Sequence, residues 1–129
     1  MKKRVLVLGA SGMLGVEVIS ELLSKNIDLY ATIRNSSDKL KIKKYLKSDI
    51  SKIKFFNFKI DGNYKAKLKK IVNKKDYIVN CIGIIKPYIT ENDSESLKNA
   101  LNINSVFPRV LNSCVKKSVK IFQIATDCV

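Results

Sequence analysis

Gly9, Gly12 and Gly15 stand at i, i+3 and i+6 in the stretch Gly9-Ala10-Ser11-Gly12-Met13-Leu14-Gly15. Glycines at this spacing let a chain turn sharply and leave its amides bare, so a phosphate can approach without meeting a Cβ. The flanking residues decide whether that chemistry is available. Val5, Leu6, Val7 and Leu8 run apolar into the first glycine, and Val16, Val18, Ile19, Leu22 and Leu23 take up helical spacing after the last. The pattern predicts strand, tight turn and helix. In that setting the glycines serve a sharp turn, the close approach of a pyrophosphate and tight packing of helix on strand. The helix start then offers amides and the positive end of its dipole to the phosphates. No Lys-Ser or Lys-Thr follows Gly15, which excludes a Walker-type phosphate loop. A glycine turn that only packs a helix on a strand is the plainer alternative.

Two further residues extend this chemistry. The stretch 27–33 (IDLYATI) reads as a second strand, and Arg34 follows its end. A dinucleotide fold places an acid there to hold the ribose 2′-hydroxyl of NAD, or an arginine to accommodate the 2′-phosphate of NADP. Arg34 therefore favours NADP(H) over NAD(H), against the alternative of an ordinary surface arginine. Asp61 closes a third apolar stretch and can accept from an adenine amino group, although Asp61-Gly62 is equally a turn.

The elements that must position these residues alternate in kind. After the first strand and helix come strand 27–33, a loosely helical 38–47, strand 52–60 and a lysine-faced helix over 64–72. Residues 77–85 (YIVNCIGII) are nearly all apolar, as a strand buried on both faces must be. A long helical stretch over 91–116 contains Pro108, expected to kink it or to open a second segment. Residues 121–125 (IFQIA) form a fifth strand. Alternation of this kind predicts an α/β fold, a Rossmann doubly wound parallel sheet in the order 3-2-1-4-5 with right-handed crossovers. The 80–83 stretch then lies at the carboxyl end of the sheet, where open α/β folds bind ligands.

The bulk composition narrows the class. A chain of 129 residues is one domain, here 1–129, and is short for an enzyme needing both a dinucleotide site and a substrate site. It is 46% hydrophobic and 28% charged, and no apolar run approaches a membrane span. The basic opening Met1-Lys2-Lys3-Arg4 is followed by an apolar run that stops at Gly9, too short for a signal peptide, so a cytoplasmic protein is expected. Cys81, Cys114 and Cys128 lack metal-ligand spacing and there is no histidine, so neither a metal site nor a disulfide framework is expected. The formal charge of +14 comes from lysine clusters at 39–47, 65–75 and 116–120. They fall in separate helical stretches without interleaved aromatics or arginines, and read as solvated faces rather than as a nucleic-acid surface. The charge still attracts phosphorylated small molecules from a distance.

Several pieces together resemble the extended short-chain dehydrogenase/reductase superfamily, and more closely its branch of dTDP-4-dehydrorhamnose reductases and related nucleotide-sugar reductases. The resemblance spans the chain. It is carried by the glycine signature, by Asn80-Cys81-Ile82-Gly83-Ile84-Ile85-Lys86, by Ile103-Asn104 with Pro108 and Leu111, and by Ile124-Ala125-Thr126-Asp127-Cys128-Val129. The last is similar to that branch's Ser-Thr-Asp-Tyr/Cys-Val, with Ala125 in place of the serine. The resemblance implies that Gly9, Ser11, Gly12, Met13, Leu14 and Gly15 hold the pyrophosphate and that Arg34 reads the adenosine ribose. It implies that Cys81, Ile82 and Gly83 line the nicotinamide ribose. Asn104 would be the helix asparagine that braces the sheet end, or a plain helix-surface amide, and Lys86 a contact to a sugar-nucleotide diphosphate. Thr126 would be the hydroxyl member of a catalytic triad.

The family's chemistry is hydride transfer between a nicotinamide and a sugar carbon, with a Tyr-x-x-x-Lys pair as acid or base. The lysine lowers the tyrosine's pKa toward working pH, and the threonine hydroxyl helps hold the substrate oxygen. None of the five tyrosines has a lysine four residues on. The expectation is therefore the NADP(H)-binding N-terminal portion of a nucleotide-sugar reductase acting in surface polysaccharide biosynthesis. Such a fragment binds cofactor and does not turn over alone, its nucleotide-sugar substrate being held by a C-terminal part. A fifth strand left as an open apolar edge favours self-association. The alternative is a non-catalytic dinucleotide-sensing or interaction module of the same fold.

Overall fold

The computed structural model describes residues 2–83 and 92–124. Five strands alternate with helices: β1 (Arg4–Leu8), α1 (Met13–Leu23), β2 (Asp28–Ile33), α2 (Asp38–Leu46), β3 (Lys54–Asn57), α3 (Lys65–Val72), β4 (Tyr77–Asn80), α4 (Ser94–Leu101), α5 (Phe107–Cys114) and β5 (Lys120–Gln123). All pairings are parallel and the order is β3-β2-β1-β4-β5, as the alternation predicts. The chain builds outward from β1 to β3, then returns to lay β4 against the other side of β1. The strand order thus reverses between β1 and β4, the switch point where such sheets open a crevice.

Alternation along β1 divides the core between two faces. Leu6 and Leu8 pack with Leu68, Ile71 and Val72 of α3 and with Phe107 and Leu111 of α5. Val7 packs on the opposite face with Val16 and Ile19 of α1 and Ile42 of α2. Because β1 is covered on both sides it can afford almost no polar residue, which is why its apolar run was legible without alternation.

The strands are shorter at their ends than their apolar runs. β4 leaves the ladder after Asn80, whose Oδ1 accepts the Ile82 backbone N–H at 3.1 Å. β3 begins at Lys54 and ends at Asn57, although the Phe58 N–H still reaches the Ile33 carbonyl at 2.8 Å. The 91–116 stretch is helical but not uniform. A π-helical turn, Asn102–Val106, joins α4 to α5, and the Phe107 N–H closes it on the Asn102 carbonyl. Pro108 sits at the start of α5, where a missing N–H costs least. It cannot donate to the Asn104 carbonyl, and the wider turn just before it absorbs that mismatch.

Candidate functional site

The glycine turn lies where β1 runs into α1, and each glycine answers a different demand. Gly9 has a φ of +79°, and a Cβ there would come within 2.9 Å of the Ile82 side chain and 3.2 Å of the Ile82 amide nitrogen. Gly15 lets α1 close on the turn, since a Cβ would stand 2.0 Å from the Gly9 carbonyl oxygen. At Gly12 the nearest atom to a Cβ would be that same oxygen at 3.7 Å, an ordinary contact. The protein's own packing therefore requires Gly9 and Gly15 but would tolerate a Cβ at Gly12.

Gly12 is also the N-cap of α1, with no side chain capping the helix and no acid in its first turn. The first amides of a helix lack partners within it, so this end carries unneutralised donors and the positive pole of the dipole. α4, by contrast, is capped by Asp93, which accepts from the Glu95 N–H at 3.0 Å. Met13 is 90% exposed beside the open end of α1. An uncapped helix start at a glycine that sterics do not require is chemically suited to an anion.

Across the switch point the end of β4 forms the second wall. Cys81 still bonds to β1 through its N–H and the Leu8 carbonyl, at 2.9 Å. Its thiol is half-buried, and burial pushes its pKa up to about 11, which disfavours the thiolate. A Cβ on Gly83 would lie 3.5 Å from Asn104 Oδ1, which brings the π-helical turn against the sheet end. Gly9 thus lies against Ile82 and Gly83 against Asn104, at the carboxyl ends of β1 and β4.

Arg34 and Asp61 meet in a second, adjoining space. Both line an open pocket of about 550 Å³, together with Asn57, Lys59, Asn63, Tyr64 and Lys67. Its rim is shaped by local hydrogen bonds. The nearly buried Asp38 carboxylate accepts the Asn35 N–H at 3.2 Å, and Asn57 Nδ2 donates to Ser36 Oγ at 3.4 Å, joining the turn after β2 to the end of β3. Gly62 adopts φ +49°, so Asp61-Gly62 is a turn and Asp61 lines the pocket as well. Tyr64 stands edge-on to Phe58, with ring centroids 6.0 Å apart, and burial raises its phenol above 10.0. The tyrosine is thereby a neutral, anchored aromatic wall.

Two further residues hold these elements in place: Thr32, which carries no functional signal in the sequence, and Asn80, which the sequence places at the ligand end of the sheet without revealing its partners. Thr32, 1% exposed on β2, accepts the Gly9 N–H on Oγ1 at 3.0 Å and the Ala10 N–H on its carbonyl at 3.0 Å. Asn80, fully buried, donates through Nδ2 to Gln123 Oε1 at 2.8 Å, tying β4 to β5. Thr126 and Lys86 lie outside the described residues. Among the described residues no cluster of acids and cysteines could hold a metal ion, and no helix is long and apolar enough to cross a membrane.

Known structures with this fold are numerous. The chain is similar to ElxO with NADP bound, with a TM-score of 0.79 at 22% identity, covering 98% of this chain and 56% of that one. An actinorhodin polyketide ketoreductase variant with NADPH is similar at a TM-score of 0.77 and 17% identity, covering 97% and 53%. A short-chain dehydrogenase/reductase from Serratia marcescens is similar at 0.75 and 18%, covering 96% and 55%. The chain thus spans about half the length of these proteins, and at such identities the likeness establishes the shared fold. No curated protein matches the chain. The family model described as RmlD substrate binding domain matches residues 2–129, and the chain belongs to that family.

Proposed function

We propose that this chain is the NADP(H)-binding portion of a cytoplasmic nucleotide-sugar reductase, serving surface polysaccharide biosynthesis. The observation that carries the cofactor reading is the uncapped start of α1 at Gly12, a glycine that neither its φ nor its neighbours within the fold require. Backbone amides at Ser11, Gly12, Met13 and Leu14 hold the pyrophosphate, with Gly9 and Gly15 shaping the turn. Arg34 faces the adenosine ribose phosphate and Asp61 the adenine amino group. Cys81, Ile82 and Gly83 line the nicotinamide ribose, and Asn104 braces that end of the sheet. When bound, the nicotinamide would provide hydride chemistry toward a keto-deoxysugar carbon, with Thr126 as the residue that would hold the substrate oxygen. Membership of the RmlD substrate binding domain family supports the reading of a nucleotide-sugar substrate.

The 129 residues contain no Tyr-x-x-x-Lys pair, so by themselves they bind cofactor without turnover. That same observation favours a second reading, a non-catalytic dinucleotide-sensing module. Calorimetric titration with NADPH and NADH tests the cofactor reading, with tighter NADPH binding expected and that preference reduced in Arg34→Ala. Equal affinity for the two cofactors overturns the preference. A hydride-transfer assay with a dTDP-4-keto-6-deoxysugar separates the readings when the chain is supplied with the C-terminal part of a relative. Turnover appearing only in the joined protein supports the reductase portion.

A further inference from the structure

The pocket beyond the glycine turn carries more positive charge than one arginine. Arg34 comes from the end of β2, Lys59 from just past β3, and Lys67 from the first turn of α3, and all three line the same 550 Å³ space. Their side chains are exposed, and no ion pair engages any of them among the described residues. Asp61 is the only carboxylate in the lining. Lys67 and Tyr64, three residues apart at the start of α3, both line the pocket, the lysine exposed and the ring packed on Phe58. Lys70, another three residues on, is exposed and outside the pocket. On the β3 side, Phe58 packs inward while its neighbour Lys59 is exposed at the rim. The volume is that of a site for a small organic ligand.

We propose that Lys59 and Lys67 join Arg34 as ligands of a phosphate on the adenosine ribose, so that recognition of a phosphorylated adenosine is shared among three elements. This rests on the reading that the pocket receives the adenosine end of a dinucleotide. A phosphate dianion offers three strong acceptor oxygens, which a bidentate guanidinium alone does not exhaust. Two lysines on neighbouring elements bring point charges to the oxygens left over, and long flexible stems let them close on the ligand from the rim. Asp61 remains available to the base, where an acceptor is useful and a cation is not.

The test uses the intact chain and 2′-AMP, a probe small enough to address this pocket without the glycine turn, with adenosine and 5′-AMP beside it. The expected result is tighter binding of 2′-AMP than of adenosine or 5′-AMP. Lys59→Ala and Lys67→Ala should each weaken 2′-AMP by roughly three- to tenfold while leaving adenosine unchanged, as expected for exposed charged ligands. Raising the salt concentration should shrink that difference. Lys70→Ala, which removes the same charge from the same helix, should leave 2′-AMP binding as it was. Two results overturn the proposal: a Lys59→Ala/Lys67→Ala double variant that binds 2′-AMP as the parent does, or a Lys70→Ala variant that weakens it equally. Absence of binding to NADPH, NADH and adenosine alike would instead bring down the dinucleotide reading itself, and the proposal with it.

Discussion

The Gly9 N–H donates to Thr32 Oγ1 at 3.0 Å, and the Ala10 N–H donates to the Thr32 carbonyl at 3.0 Å, so one residue of β2 fixes two consecutive amides of the glycine turn. The hydroxyl is buried, so replacing it with a methyl leaves the Gly9 amide without its acceptor in a place water reaches poorly. Thr32→Val should therefore lower stability by about 1–3 kcal/mol. On the proposed function, affinity for NADPH should fall as well, because the turn proposed to present amides to the pyrophosphate loosens. Thr32→Ser retains the oxygen and should recover most of both. Urea unfolding of the three proteins, with calorimetric titration of NADPH, checks this; an unchanged midpoint for Thr32→Val would refute it.

The contrast between Gly15 and Gly12 yields a split between folding and binding. An added Cβ at Gly15 would collide with the Gly9 carbonyl oxygen at 2.0 Å, backbone against backbone, so α1 must move off the turn. Gly15→Ala should cost at least the upper part of about 1–3 kcal/mol. Gly12→Ala meets nothing closer than 3.7 Å, and its φ of −73° suits any residue. Its unfolding free energy should stay within about 0.5 kcal/mol of the parent. NADPH affinity should nevertheless drop by roughly tenfold or more, about 1.4 kcal/mol. Full NADPH affinity in Gly12→Ala would mean that no phosphate approaches this residue.

How far the sequence carries depends on whether a feature is local. The strand, glycine turn and helix at 4–23 were legible because apolar run, glycine spacing and helical period sit side by side, and the sheet order follows from alternation and crossover handedness. The ends of strands were not. The apolar run 77–85 predicts one continuous strand, but β4 closes at Asn80, the Cys81 N–H makes a last bond to β1, and the Asn80 side chain takes the Ile82 amide, while 84–85 lie outside the described residues. Thr32 reads as one more β-branched residue in a strand, and its partner lies 23 residues away. Pro108 signalled a break in the long helix, yet nothing in its spacing foretold that a π-helical turn would carry Asn104 to Gly83. Arg34 and Asp61 belong to separate stretches of the sequence, and only the packing of β2, β3 and α3 brings them to one pocket.

Lys75 gives the protein a distinctive alkaline response. It is 8% exposed, with Nζ 4.2 Å from the Tyr30 ring centroid and donating to the Asn73 carbonyl at 3.1 Å. Burial first, and then the charges of Arg4 and Lys54, hold its pKa below the ordinary 10.5. Between that lowered value and 10.5 the folded protein has released a proton that the unfolded chain still holds, so stability contributed by this group rises with pH across the window. Lys75→Met should flatten that rise, whereas Lys70→Met, an exposed control, should preserve it. Unfolding curves measured from neutral pH up to 10.5 make the comparison. A parallel profile for the parent and Lys75→Met would refute it.

β5 supplies the last prediction, self-association of the chain as given. Among the described residues it pairs with β4 alone, so one row of its backbone donors and acceptors faces outward. Apolar side chains stand on that strand and just past it: Phe122 is 53% exposed, packed only obliquely on Tyr77 with centroids 6.3 Å apart, and Ile124 is 39% exposed. An apolar strand with an open ladder is a template for another strand, and a second copy presents the same edge. The net charge of +14 opposes that approach and is screened by salt, so association should strengthen as ionic strength rises. Light scattering across a concentration series at low and high salt should show a mass that grows with both. Phe122→Lys places a charge on the edge and removes the exposed ring, and should return the chain to a monomer at concentrations where the parent associates. A parent chain that stays monodisperse at its monomer mass under high salt would sink the idea, because then neither the open ladder nor the exposed ring drives contact.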